Sequence, residues 1–172
     1  MINLAKFVRA QHRLYCHHIP ILPKLIQLWI FIVYSSAISP KVRIGGGTFF
    51  NHSGFGILLN ENVIIGRDCK IGNSVSIVGQ GPYKNAPVLR NRVYVGPGAV
   101  IQGPVVVENN VIVAPNAVVT KSCPKNAIVA GNPAKIIGWS NELNYDIFKD
   151  ENWDESIKPY LKDEKGISRS DK

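Results

Sequence analysis

Leu89, Val95, Ile101, Val107, Val113 and Val119 are apolar residues at an unbroken six-residue spacing. Four residues after each of the first five stands a second small or branched residue: Val93, Ala99, Val105, Val111 and Ala117. A helix repeats every 3.6 residues and a simple strand every two, so neither accounts for a period of six. A parallel β-coil does, because each short strand buries one residue, turns a corner and begins again. The chain must therefore wind, with a stack of Ile, Val and Leu along its axis.

The same frame runs backwards through the sequence and breaks twice. Ile38, Ile44 and Phe50 hold it at the start, with Val42, Thr48 and Gly54 at the partner positions. From Phe50 to Leu59 the spacing is nine, which predicts an irregular turn at residues 51–58 and puts His52 at a corner. Leu59, Ile65, Ile71 and Ile77 then restore the period, and Tyr83 and Leu89 continue it in register. Residues 78–87 (VGQGPYKNAP) keep the count but are rich in Gly and Pro, which predicts a loop leaving the coil. With three hexads per turn, residues 38–137 predict five to six coils, roughly 25–30 Å tall at the usual strand spacing.

The segments outside the repeat are read as a helical start (1–37) and a C-terminal extension (139–172), flanking a coil domain over 38–138. Residues 1–18 place Leu4, Phe7, Val8, Leu14 and Tyr15 among Arg9, His12, Arg13, His17 and His18, the pattern of a short amphipathic helix. No third ligand stands near His17–His18, so the pair predicts no metal site. Pro23 then opens a second apolar helix over Lys24 to Ile38. Its uninterrupted apolar core, Leu28 to Tyr34, is shorter than the ~20 residues a bilayer span requires. It can pack on the coil or on a neighbouring subunit, or lie on a membrane surface; these uses are compatible. The end of the extension, Lys162 to Lys172, is expected to be disordered.

Charge is unevenly spread. Of the 20 Lys and Arg against 12 Asp and Glu, residues 1–60 hold Lys6, Arg9, Arg13, Lys24, Lys41 and Arg43 and no acid; the first is Glu61. A basic front half suits phosphate-bearing ligands or anionic lipid. No recognition motif or aromatic-interleaved basic strip supports nucleic acid. Cys16, Cys69 and Cys123 are odd in number and lack CxxC spacing, which fits reduced thiols in the cytoplasm. No cleavable signal peptide is recognisable.

With the hexads and the stretch AGNPAKIIG (Ala130 to Gly138) in view, the chain resembles the hexapeptide-repeat acyltransferases, and within them the serine acetyltransferase-like branch. That resemblance implies a mainly β fold, a left-handed parallel β-helix, assembled as a homotrimer with its sites between subunits. It implies acetyl-CoA as acetyl donor, no metal, and a histidine general base. His52, eight residues after Ile44-Gly45, matches that histidine and is the only histidine inside the coil. The resemblance also implies a groove for the donor beside Gly79, Gly98, Ala99, Ala114 and Ala117, with Asn132, Pro133 and Lys135 at the nucleotide end.

Three positions depart from the serine acetyltransferase pattern. Ala37 stands where the branch has an aspartate, Asn51 replaces the aspartate before the histidine, and Asn85-Ala86-Pro87 replaces Arg-His-Pro. Asn51, Asn85 and Glu61 are therefore the candidates on the acceptor side, with Glu61 or a backbone carbonyl to orient His52. Losing groups that an ammonium and a carboxylate would want favours a neutral sugar hydroxyl. The expectation is an O-acetyltransferase of a bacterial surface polysaccharide or its precursor, working in the cytoplasm or peripherally at the inner membrane face. Two readings stay open beside it: a serine O-acetyltransferase, and a non-catalytic trimeric β-helix serving as a binding or assembly module.

Overall fold

The computed structural model describes residues 3–83 and 85–149. Two helices precede a coil of three-stranded turns. Helix α1 (Leu4–Cys16) and helix α2 (Leu22–Tyr34) are followed by the first turn: β1 (Ala37–Ile38), β2 (Arg43–Ile44) and β3 (Phe49–Phe50). The second turn is β4 (Leu58–Leu59), β5 (Ile64–Ile65) and β6 (Lys70–Ile71). The third is β7 (Ser76–Val78), β8 (Val88–Leu89) and β9 (Tyr94–Val95), and the fourth β10 (Val100–Gln102), β11 (Val106–Val107) and β12 (Ile112–Val113). A shortened fifth has β13 (Val118–Val119), a single bridge from Cys123 to Val107, and β14 (Ala127–Ala130). Strand β15 (Lys135–Trp139) folds back antiparallel on β14 and closes the third face.

The strands stack into three parallel faces: β1-β4-β7-β10-β13, then β2-β5-β8-β11, then β3-β6-β9-β12-β14. The expectation of a β-coil holds. The count is lower than five to six, because loops and the closing hairpin consume residues that a uniform count assigns to the coil. Every hexad residue from Ile38 to Val119 except Tyr83 points inward and is buried, as are the partner positions from Val42 to Ala117 within regular turns. Thr48 is the polar exception in this interior. Its hydroxyl donates to Gly66 O (2.8 Å) and accepts from Cys69 N (2.9 Å), so burying it leaves no unmade bond.

Tyr83 departs from the frame that its position predicts. It is exposed, and Ile65 pairs directly with Leu89. The excursion after β7 adds one whole hexad, so the count returns to register while the chain leaves the coil. The nine-residue gap after Phe50 adds half a hexad, which is visible in the sequence because it shifts the frame.

Corners are built by residues in the left-handed region: Asn62, Asp68, Ser74, Arg92, Asn110, Asn116 and Asn126 all have positive φ. Asn and Asp tolerate that conformation through local hydrogen bonding, which explains their recurrence at these turns.

Helix α1 covers the open end of the first turn. Asn3 caps it by accepting from Ala5 N and also donates to Phe50 O (3.0 Å). Along the helix, Arg9 donates to Gly45 O and Thr48 O, Gln11 donates to Ile38 O, and His12 Nδ1 meets Pro40 O (2.9 Å). A bare strand edge would offer these carbonyls to another chain; here side-chain donors occupy them. Helix α2 packs beside α1 through Phe7, Trp29 and Tyr34, with Phe7 and Trp29 ring centroids 4.5 Å apart. Beyond the coil, Arg92 holds residues 140–149 through paired bonds to Asp146 (2.9 and 3.1 Å) and by lying over Phe148. The disorder expected for residues 162–172 lies outside the described residues.

Candidate functional site

The turn after β3 is a distorted 3-10 segment, Asn51–Gly54, in which His52 (φ 48°) and Ser53 (φ 64°) are both left-handed. Gly54 lies against Leu4 and Phe50; a Cβ there would stand 2.6 Å from the Leu4 side chain, so α1 closes tightly beneath the loop. Ser36 ties the loop from the other side. Its hydroxyl reaches Gly54 O (2.8 Å) and accepts from Ile57 N (2.8 Å). Anchored at both ends, the loop holds the exposed imidazole of His52 at the edge between the third and first faces.

That edge continues upward as a column. Ser74 N donates to Phe55 O, Gly98 N to Asn73 O, and Asn116 N to Pro97 O, each within 3.0 Å. At its top, Val118 N donates to Gly131 O and Ala134 N to Val118 O, seating the turn that carries Asn132 and Pro133. His52, Gly98, Ala114, Asn132, Pro133 and Lys135 thus lie on one side of the coil. Four rungs at ~4.8 Å separate its ends by roughly 19 Å, room for an extended thioester arm. Gly98 faces Asn116, where a Cβ would collide with the side-chain oxygen, so this position must stay bare.

Ala99 and Ala117 do not belong to that outer edge. Both side chains are fully buried in the coil. Their amides donate to Gly96 O and Ala114 O, and their carbonyls accept from Ser76 N and Val100 N. Their small size serves the interior.

Glu61, Gly79 and Asn85 occupy a different edge, between the first and second faces. With Tyr83, Gln80 and Asn62 they line an open cleft of about 460 Å³. Glu61 is paired there with Lys41 (2.8 Å), a bond that raises the lysine pKa. Within one chain, Glu61 therefore does not orient His52, and neither does Asn85. Asn51 is adjacent to His52 and half-buried. Among the described residues no group of three or more His, Cys, Asp or Glu is placed to hold a metal ion. Ser36 and the αL corners escaped the sequence reading. Counting hexads in threes would have separated the two edges, since His52 follows a third-face strand and Asn85 a first-face strand.

The bacterial transferase hexapeptide (six repeats) family model matches residues 86–121. The chain has the hexapeptide-repeat transferase fold. It is 33% identical over 131 residues to a serine acetyltransferase of Synechococcus elongatus, covering 75% of this chain and 53% of that protein. To the serine acetyltransferase of Helicobacter pylori strain 26695 it is 38% identical over 102 residues, covering 58% and 59%. Among solved structures, the Brucella abortus serine acetyltransferase in complex with coenzyme A superposes with a TM-score of 0.75 at 30% identity, covering 79% of this chain and 55% of that one. The Neisseria gonorrhoeae enzyme in complex with serine gives 0.72 at 27% identity, covering 76% and 54%. The chain spans about half the length of the curated relatives it matches.

These relatives overturn the expectation of a polysaccharide acceptor. They are serine acetyltransferases, and the solved neighbours are as well. The missing charges at Ala37, Asn51 and Asn85 suggested a neutral sugar. They mark departures inside a serine acetyltransferase-like framework instead.

Proposed function

We propose that the chain is an acetyl-CoA-dependent acyltransferase that O-acetylates serine, with His52 as general base. One observation carries the reading: an exposed histidine, held by an anchored corner, stands at the foot of an edge of small residues that ends at Asn132, Pro133 and Lys135. The similarity to serine acetyltransferases, one solved with coenzyme A and one with serine, supports donor and acceptor.

The chemistry follows from the groups. A hydroxyl is a poor nucleophile at neutral pH, and imidazole is the side chain best matched to take its proton there. His52 removes the hydroxyl proton as the oxygen attacks the thioester carbonyl. The tetrahedral intermediate collapses by expelling the CoA thiolate, and the imidazolium returns the proton to sulfur. The products are the acetyl ester and free CoA thiol. Lys135, exposed at the far end of the edge, supplies a cation for a phosphate.

A trimer completes the arrangement. The strands of the first face, β1, β4, β7, β10 and β13, contain no charged residue. The His52 edge and the Glu61–Asn85 cleft flank that face on either side. Turning it toward a threefold axis sets the His52 edge of one subunit against the cleft of the next. Glu61, held through Oε2 by Lys41 of its own chain, would then present its other carboxylate oxygen to an ammonium group across the interface.

The test is release of CoA thiol from acetyl-CoA with serine, measured for native protein and His52→Ala. The expected result is serine-dependent turnover that falls by about 10²–10⁴-fold in the variant, with unchanged circular dichroism. Turnover by native protein that does not depend on serine refutes the acceptor. Equal rates for both proteins refute His52 as base.

A further inference from the structure

We propose that the α1–α2 end of the molecule is a docking surface for an anionic lipid bilayer, with α2 lying in the interface plane. The reading is independent of the acceptor and of His52.

Helix α2 is apolar on both sides. It buries Pro23, Ile30 and Tyr34, which share one side of the helix. The opposite side, where a surface helix normally carries charge, presents Leu25, Leu28, Phe31 and Ile32 to solvent; Ile32 is 69% exposed and Ile21, at the cap, 67%. Lys24 is the one charged residue in the helix. Contiguous apolar surface of this kind on a folded protein marks an interaction site. At 13 residues, α2 is about 20 Å long and cannot cross a bilayer, so it can only lie along one.

The neighbouring helix says what the partner is. Helix α1 buries Leu4, Ala5, Val8 and Gln11 toward the coil, and its opposite face carries Lys6, Ala10 and Arg13, all exposed. An exposed apolar strip and an exposed basic strip therefore lie on two helices packed against each other at the α1-covered end of the coil. Between residues 3 and 60 there is no acid to oppose them. Arg9 is turned inward onto Gly45 O and Thr48 O, Lys41 is engaged with Glu61 and the exposed Arg43 lies on β2, which leaves Lys6, Arg13 and Lys24 as the outward cations of the two helices. A second copy docking on this end would bring like charges together with nothing to neutralise them. A bilayer with anionic headgroups satisfies both strips at once, and each basic residue near such a surface strengthens binding about fivefold. In a cyclic trimer about an axis along the coil, the three copies of this end face the same way, so one flat surface engages all of them.

The experiment is flotation of the full chain with vesicles of phosphatidylglycerol and phosphatidylcholine, against vesicles of phosphatidylcholine alone, at low and high salt. Two outward-facing double variants accompany it, Leu25→Glu with Ile32→Glu, and Lys6→Glu with Arg13→Glu, each also run through light scattering and the thiol-release assay. The expected result is salt-sensitive flotation with anionic vesicles only, reduced more than about tenfold by either variant, with mass and turnover unchanged. Absence of native protein from the anionic vesicle fraction at low salt overturns the proposal. So does equal binding to the neutral vesicles. A change in assembly mass in the Leu25→Glu and Ile32→Glu variant, with flotation retained, reassigns the face to contact between copies.

Discussion

Ser36 offers the sharpest test of how the His52 corner is held. It is fully buried between α2 and β1, and its hydroxyl serves three backbone groups. It accepts from Ile57 N (2.8 Å), and its single proton is shared between Gly54 O (2.8 Å) and Tyr34 O (3.0 Å). In Ser36→Ala, Tyr34 O keeps the amide of Gly56 (3.0 Å). Ile57 N and Gly54 O lose the hydroxyl, and both lie in buried residues. An unsatisfied buried N–H costs about 1–3 kcal/mol and a weakened carbonyl less, so the substitution should destabilise by about 2–4 kcal/mol. For a domain of this size that corresponds to roughly 5–12 °C in Tm. Urea unfolding followed by circular dichroism at one protein concentration measures it, with the midpoint falling and the slope unchanged. Ser39→Ala is the control: its hydroxyl accepts only a long bond from Lys41 N (3.3 Å), and the loss should stay below about 0.5 kcal/mol. If Ser36→Ala costs no more than this control, the hydroxyl does not organise the loop and the account of the corner fails.

Two further outcomes follow from the coil. In Gly96→Ala the new Cβ would stand 2.5 Å from Pro115 N and 2.8 Å from Ala114 C, backbone atoms that cannot yield, and the same unfolding assay should register a loss of about 1–3 kcal/mol. Burial pushes the Cys123 thiol up from its ordinary 9.0 to about 11. Between those values the folded chain holds a proton that the unfolded chain has released, so stability falls as pH rises through that window. A Cys123→Ala variant should lose less stability than the native chain between pH 9.0 and about 11, and equal slopes would contradict the buried-thiol assignment.

The coil was legible because its period is enforced by sterics at every rung. A residue such as Ile101 has to point inward between Ile77 and Val119, and nothing polar can replace it cheaply. The helices were legible from Pro23 and from Leu4, Phe7, Val8 and Leu14, although Tyr15, read with them, is exposed and the second helix ends at Tyr34 rather than Ile38. What the spacing concealed were events that leave the count intact. The excursion after β7 is one hexad long, so Tyr83 falls on an interior position while standing in solvent. Size alone was equally ambiguous. Gly98 is small because the Asn116 side chain sits over it, whereas Ala99, its neighbour, is small because it lies inside the coil. Only the alternation of faces along a strand and corner separates the two.

Function was misjudged at the acceptor for a related reason. Absent charges at Ala37, Asn51 and Asn85 were weighed as though all three stood around one histidine. The coil places Asn51 beside His52, Ala37 on the first face and Asn85 on the far side of that face. A group lost from the Glu61–Asn85 cleft is therefore not lost from His52 in the same chain; in the proposed trimer it would be lost from the neighbour's. The relevant inventory is the pair of edges that meet when first faces converge. In the proposed trimer that pair would contain the imidazole of His52 from one subunit and Glu61, Tyr83 and Asn85 from the next. Across that proposed interface a carboxylate, a phenol and an amide would face the ammonium and carboxylate of a serine, which a single-chain reading of the sequence does not show. Under that proposal the uncharged first face and the placement of these groups follow from the same winding, because three hexads per turn set which loops share an edge.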